Sequence, residues 1–186
     1  MKKLVLLVVA IATFGFASAQ IEAKINPLGA IFGKPDISAE YIVSDSFGVE
    51  LGVGFAFGKA MGVSVGDVYE PKQSGFGVKL AGKYYFSPDD GGDGWYGDIY
   101  LRQESLTIDD TAHEGYNGFK RSIFAAGVEF GKKWVFDSGF LVEAALGGGR
   151  AISEKNEWLN DNDSEDFGVK LGFDLTGKFA IGYRFN

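Results

Sequence analysis

The sequence contains no cysteine, one histidine and four prolines in 186 residues, and each scarcity removes a class of explanation. Without thiols there is no disulfide framework, no thiolate metal site and no cysteine nucleophile, so packing and hydrogen bonds alone must hold the fold. A single imidazole, His113, is too few for a multi-histidine metal centre. Basic clusters are missing as well. The net charge is -7, and no stripe of Lys and Arg offers the phosphate contacts from which nucleic-acid binding draws its affinity. No apolar run reaches the length of about 20 residues that a membrane-spanning helix needs.

The longest apolar run, from Leu4 to Phe16, follows Met1, Lys2 and Lys3 and ends at Ala17-Ser18-Ala19. A basic start, a short apolar stretch and a small-x-small site are the three parts of a cleaved secretory signal peptide. The expected boundaries are residues 1–19 for the signal peptide and 20–186 for one mature domain. Gln20 stands after the cut where a lipoprotein would need cysteine, so the fold itself must supply any anchor. No linker divides the remaining stretch, whose length suits a single domain.

Glycine and aromatic residues are plentiful instead: 28 glycines and 15% Phe, Trp and Tyr. Glycine is a poor helix former, whereas Phe, Tyr, Val and Ile suit a pleated surface. The order of these residues agrees with strands, because large apolar side chains recur at every second position. Val49, Leu51, Val53, Phe55 and Phe57 alternate with Glu50, Gly52, Gly54 and Ala56. Phe76, Val78, Leu80, Tyr84 and Phe86 alternate with Lys79, Ala81, Lys83 and Tyr85. The pattern repeats from Trp95 to Glu104, from Phe124 to Lys133, from Phe140 to Gly147 and from Phe167 to Phe185. Two earlier segments, Ile21 to Phe32 and Ile37 to Val43, also read as strands, with Pro27 marking a bulge or an edge.

Between these segments, short connections (Ser44 to Phe47, Phe136 to Gly139) and long ones (Lys59 to Ser74, Asp109 to Arg121, Ile152 to Asp166) fall at opposite ends. A four-residue connection at Gly33 to Asp36 joins the long end, and Ser87 to Gly94 is of medium length. The last segment is long enough for a turn at Leu175-Thr176-Gly177-Lys178. The expected fold is an all-β, closed antiparallel transmembrane barrel of eight strands, with ten as the alternative.

Charge decides which face is outside. The polar parity carries Glu22, Glu40, Glu50, Asp98, Glu104, Glu129, Glu143 and Asp174 against Lys24, Lys79, Lys83, Arg102, Lys133, Lys170, Lys178 and Arg184. Such a balance suits a narrow lumen, where an unpaired buried charge is costly. The apolar parity, with Phe55, Phe57, Phe130, Phe173 and Phe179, is then the lipid face, on which Lys132 is the main charged exception. Tyr84, Phe86, Trp95, Trp134, Phe136, Tyr183 and Phe185 cluster towards the short-turn ends as an interfacial girdle. A soluble sandwich with aromatic core residues is the plainer alternative, and the signal peptide weighs against it.

On these features the chain resembles the small outer-membrane barrels of Gram-negative bacteria, the OmpA, OmpX and OmpW group. The opening Ala23-Lys24-Ile25-Asn26-Pro27-Leu28-Gly29 is similar to members of that superfamily. The closing Ala180-Ile181-Gly182-Tyr183-Arg184-Phe185, followed here by Asn186, resembles the terminal signal read by the barrel-assembly machinery. The resemblance implies residence in the cell outer membrane, with outer-membrane lipid, lipopolysaccharide and that machinery as partners.

Motifs for chemistry are sparse. His113 lies among Asp109, Asp110 and Glu114 in a long connection, away from the rigid wall that a Ser-His-acid arrangement requires. Asp161, Asp163 and Glu165 are spaced like the start of a calcium loop, but Asp166 replaces its glycine and Gly172 its twelfth-position glutamate. Glu154, Glu157 and these acids read as a solvated outer loop, weakly bridged to lipopolysaccharide by divalent ions. Asp89 to Gly94 reads as a flexible turn, and Gly147-Gly148-Gly149 lacks the strand-to-helix setting of a phosphate loop. No catalytic, cofactor or metal residue is assigned. The expected function is a non-enzymatic barrel giving envelope structure or surface interaction through its loops. A narrow channel for ions or small solutes is the alternative, and a lipid-acting barrel enzyme or a soluble ligand-binding barrel ranks below it.

Overall fold

Eight antiparallel strands close into a ring in chain order in the computed structural model, which describes residues 20–31, 33–59, 72–109, 118–159 and 172–185. They are β1 (Gln20–Asn26), β2 (Asp36–Ser44), β3 (Phe47–Lys59), β4 (Lys72–Tyr85), β5 (Gly94–Asp109), β6 (Phe119–Val135), β7 (Phe140–Trp158) and β8 (Phe173–Phe185). The ring shuts where β1 pairs with β8, from Ile21 opposite Phe185 to Ile25 opposite Ile181. Every junction between strands is antiparallel, so chain neighbours are also ladder neighbours.

The stagger of the ring follows from its register. Directly paired residues run from Glu22 through Glu40, Glu50, Ala81, Tyr100, Gly127 and Gly149 to Asp174. On returning to β1, Glu22 faces Arg184 and not Asp174, a shift of 184 − 174 = 10 residues. A stagger of this size in eight strands tilts them steeply to the barrel axis and leaves an interior that side chains just fill.

Three boundaries differ from the sequence expectation. First, β1 stops at Asn26, and Pro27 opens a one-turn helix, α1 (Pro27–Ile31), rather than a bulge. Proline suits the first helical position because its missing N–H has no partner there in any case, and Asn26 Oδ1 accepts from the Gly29 N–H at 3.2 Å. Second, β7 runs on past Ile152 to Trp158. Glu154 is therefore a buried wall residue bound to Arg121, and Glu157 a ladder residue opposite Lys120, rather than loop acids. Third, the ladder between β7 and β8 continues through Gly177 opposite Leu146 and Lys178 opposite Ala145. No hairpin interrupts β8, which removes the ten-strand alternative. Residues 160–171, with Lys170 and the acids from Asp161 to Asp166, lie outside the described residues, as do His113 and the segment 1–19.

The turns between β2 and β3, β4 and β5, and β6 and β7 share one end of the ring with the strand termini Gln20 and Phe185. At the tightest, Gly139 takes a left-handed φ of 82° and donates to Phe136 O at 2.8 Å, a conformation that disfavours a side chain. The turn between β4 and β5 is a cap, not a flexible loop. Asp93 Oδ1 accepts from the Asp89 N–H at 2.8 Å, Gly92 N–H donates to Asp45 O at 2.7 Å, and Arg184 Nη2 donates to Gly92 O at 3.1 Å. The Asp89 to Gly94 segment is thereby tied to the barrel interior at the turn end.

Candidate functional site

Side chains on the two parities meet opposite environments. The rings of Phe55, Phe57, Tyr84, Phe86, Trp95, Phe130, Trp134, Phe173, Phe179, Tyr183 and Phe185 are all exposed on the outward face. Leu146, Leu175 and Ile99 are between 71% and 75% exposed. Near the turn end Trp95 stacks on Phe130, Tyr84 meets Phe86 edge-on, and Lys132 lies over both Trp95 and Trp134. Arg150 also stands on this face, opposite Ala126 and Phe173.

Inside, charged groups are packed where a soluble protein would place aliphatic ones. Glu22, Lys24, Glu40, Lys83, Lys133 and Glu143 are each at most 2% exposed. Lys24 Nζ donates to Glu40 Oε2 at 2.5 Å, to Glu143 Oε2 at 2.7 Å and to Glu50. Lys83 Nζ donates to Glu50 Oε2 and Glu143 Oε1, both at 2.6 Å, and to Glu40 Oε2 at 2.9 Å. Lys178 reaches Glu143 Oε1 at 3.0 Å and Glu50. Nearer the turn end, Lys133 Nζ donates to Glu22 Oε2 at 2.7 Å and Arg184 donates to Glu22 Oε1 through Nε and Nη2. Buried ions at this density are tolerable only when each is paired and hydrogen-bonded.

Two tyrosines complete the plug. Tyr85 Oη donates to Glu40 Oε1 and Tyr96 Oη to Glu143 Oε1, each at 2.5 Å, while Lys133 and Lys83 lie over their rings at 4.7 and 4.6 Å. Each ring thus serves one cation by its face and one anion by its hydroxyl. Gly131 makes this possible: a Cβ there would meet Tyr96 Cζ at 2.7 Å. Sequence reasoning missed the tyrosines as site residues, although Tyr85, Tyr96 and Tyr100 share the parity of Lys83 and Asp98.

The carboxylates of Glu40, Glu50 and Glu143 come within 4.8 Å of one another, close enough to hold a metal ion. Lys24 and Lys83 each donate to all three. The two ammonium groups supply the positive charge that an ion would bring, so the donor set does not call for a metal.

Towards the loop end the packing loosens. Lys79 pairs with Glu129 at 2.5 Å, Arg102 with Asp174 and with Glu104 at 3.1 Å, and Lys34 with Glu104 at 3.2 Å. Tyr100 Oη donates to Asp174 Oδ2 at 2.8 Å, and Arg121 Nε to Glu154 Oε1 at 2.8 Å. Asp98 faces Glu129 across the ladder, and neither of its oxygens has a hydrogen-bond partner among the described residues. Above these pairs lies a vestibule of about 610 Å³, with Asp36, Glu50, Lys79, Arg102, Arg121 and Lys178 among its lining residues. Of the charges placed on the polar parity from sequence, only Lys170 lies outside the described residues. Asp36, Lys34, Arg121 and Glu154 were not anticipated there.

The structure is similar to the N-terminal β-barrel domain of Pseudomonas aeruginosa OprF, at 18% identity over 90% of this chain and 96% of that one, with a TM-score of 0.48. It is also similar to a major outer membrane protein from Thermus thermophilus, at 17% identity over 90% of this chain and 98% of that one, with a TM-score of 0.50. The latter likeness is one of fold. No curated protein matches the sequence. Over residues 4–175 the sequence does match the family described as "Protein of unknown function (DUF3575)", and the chain belongs to that family.

Proposed function

We propose that this chain is a non-enzymatic outer-membrane barrel of a Gram-negative cell, delivered by its cleaved segment 1–19 and sealed by the ion-pair plug. In this reading it contributes to envelope structure or surface interaction through its loop end. The observation that carries the reading is the inversion of the fold. Leu146, Leu175 and Ile99 stand exposed while Lys24, Glu40 and Glu143 are buried. In water that arrangement would leave a wide apolar surface unsatisfied, whereas in a bilayer it gives each face its preferred surroundings. The barrel-assembly machinery, outer-membrane lipid and lipopolysaccharide are the partners that follow.

A narrow channel is the second reading, favoured by the vestibule. The plug beneath that cavity and the cap at the turn end weigh against it.

Fractionation of a Gram-negative host expressing the full chain tests the proposal. The expected result is a product that has lost residues 1–19, sediments with outer membranes and resists alkaline carbonate washing. Recovery as a soluble periplasmic protein would overturn it.

A further inference from the structure

The barrel wall is not equally high all round. A strand crosses the bilayer core in about 9 to 11 residues when tilted, and β3 to β8 have at least 13. β1 has only seven, and its place above Asn26 is taken by α1. Among the described residues, the upper half of β8 is consequently left without a neighbouring strand on the β1 side.

The backbone makes the consequence specific. Successive peptide groups of a strand point to opposite sides. Arg184 N–H donates to Gly139 O just before β7, and Gly172 O accepts from the β7 residue Ala151, so the even-numbered groups serve β7. The odd-numbered groups face the other way, and β1 meets them only from Ile181 onward. Those of Phe173, Leu175, Gly177 and Phe179 therefore open into the gap. α1 packs against β8 there, and among the described residues no strand pairs with these groups on that side. Bare hydrocarbon cannot satisfy them.

The vestibule extends to the same place. Its lining joins inward-facing Asp36 and Lys178 to outward-facing Phe55, Phe173 and Leu175, with Leu28 of α1 between. Asp36 accepts from Asn26 Nδ2 at 2.8 Å and makes no direct ion pair among the described residues, with Lys178 and Lys79 acting on it only from farther off. Among the described residues, N–H donors without a strand partner, a carboxylate without a direct ion pair and an apolar outer lip thus lie side by side.

We propose that this gap is a lateral port between vestibule and membrane, and that it binds a zwitterionic amphiphile carrying a phosphate and an ammonium group. The phosphate oxygens accept from the N–H groups of Leu175 and Gly177. The ammonium pairs with Asp36, and the acyl chain lies outside against Phe55, Phe173 and Leu175. The proposal rests on membrane insertion but goes beyond it.

Residue-resolved amide exchange of the full mature chain in uncharged maltoside micelles tests it, on a sample whose insertion is verified by a heat-dependent gel shift. The amides of Leu175, Gly177 and Phe179 are expected to exchange at least roughly tenfold faster than those of Asp174, Thr176 and Lys178. Added lysophosphatidylcholine should slow them, and Asp36→Asn should remove most of that slowing. Equal protection of odd and even amides in an inserted barrel would show that the port is closed and overturn the proposal. Fast odd amides that lysophosphatidylcholine leaves unchanged would overturn the ligand assignment, and so would equal slowing by lysophosphatidylglycerol, which has no ammonium group. A sample without the gel shift would instead contradict membrane insertion itself.

Discussion

Glu143 and Glu40 each gather three lysines and one tyrosine hydroxyl in the interior, and Glu143 lends itself to a test. It accepts from Lys24, Lys83 and Lys178 and from the Tyr96 hydroxyl, and its side chain is fully buried. Glu143→Gln keeps the shape and removes the charge, leaving three ammonium groups to share the remaining carboxylates. Breaking a buried pair in this way costs about 3 to 5 kcal/mol, so the urea midpoint in micelles should fall markedly. Lys34→Ala offers the contrast. Lys34 is paired with Glu104 but its side chain is 42% exposed, and loss of such a pair should cost about 1 kcal/mol or less. Equal effects of the two substitutions would show that the plug is not a set of desolvated pairs. The charges of this plug were legible in the sequence because parity alone assigns them to one face. Their partners were not, because which of Glu40, Glu50 and Glu143 meets Lys24 depends on the ten-residue stagger, and no local pattern encodes it.

The strands carry the division between faces, and substitution along one strand tests it. Leu146 lies midway along the apolar stretch of the outward face of β7, from Phe140 to Ile152, and is 75% exposed, whereas Phe140 begins that strand at the turn end. Leu146→Arg should destabilise the barrel by about 2 to 4 kcal/mol and Phe140→Arg by about 1 kcal/mol or less, since the cost of a basic group falls from midplane to interface. Reversible unfolding in lipid vesicles measures both. Identical values, or a neutral Leu146→Arg, would place the outward face in water. Alternation was the feature of these elements most readable in the sequence, since a strand with two environments must repeat every second residue. Strand ends were less so. Ile152 to Trp158 carries Ser153, Glu154, Lys155, Asn156 and Glu157 and looks like a loop by polarity, yet it continues the β7 ladder beyond the apolar zone. Conversely, Pro27 was read as a bulge because α1 has only five residues, too short to give a helical period.

At the scale of the whole molecule the plug and the cap act together. Lys24, Lys83, Lys133 and Lys178 fill the lumen with their carboxylates, while Asp90 O and Gly92 O receive the Arg184 guanidinium at the turn end. A barrel stopped at two levels should add no conductance above the leak of a planar bilayer, and stepwise openings in the wild-type protein would favour the channel reading. Closure at both levels depends on a more basic arrangement, the central claim here, in which the apolar face meets lipid and the charged face is enclosed. The gel mobility of mature protein refolded in detergent micelles, compared before and after boiling, tests that claim most directly. A faster unboiled band that boiling converts to the mobility of the unfolded chain is the predicted result. A protein that remains soluble without detergent and shows one mobility under both conditions would contradict it.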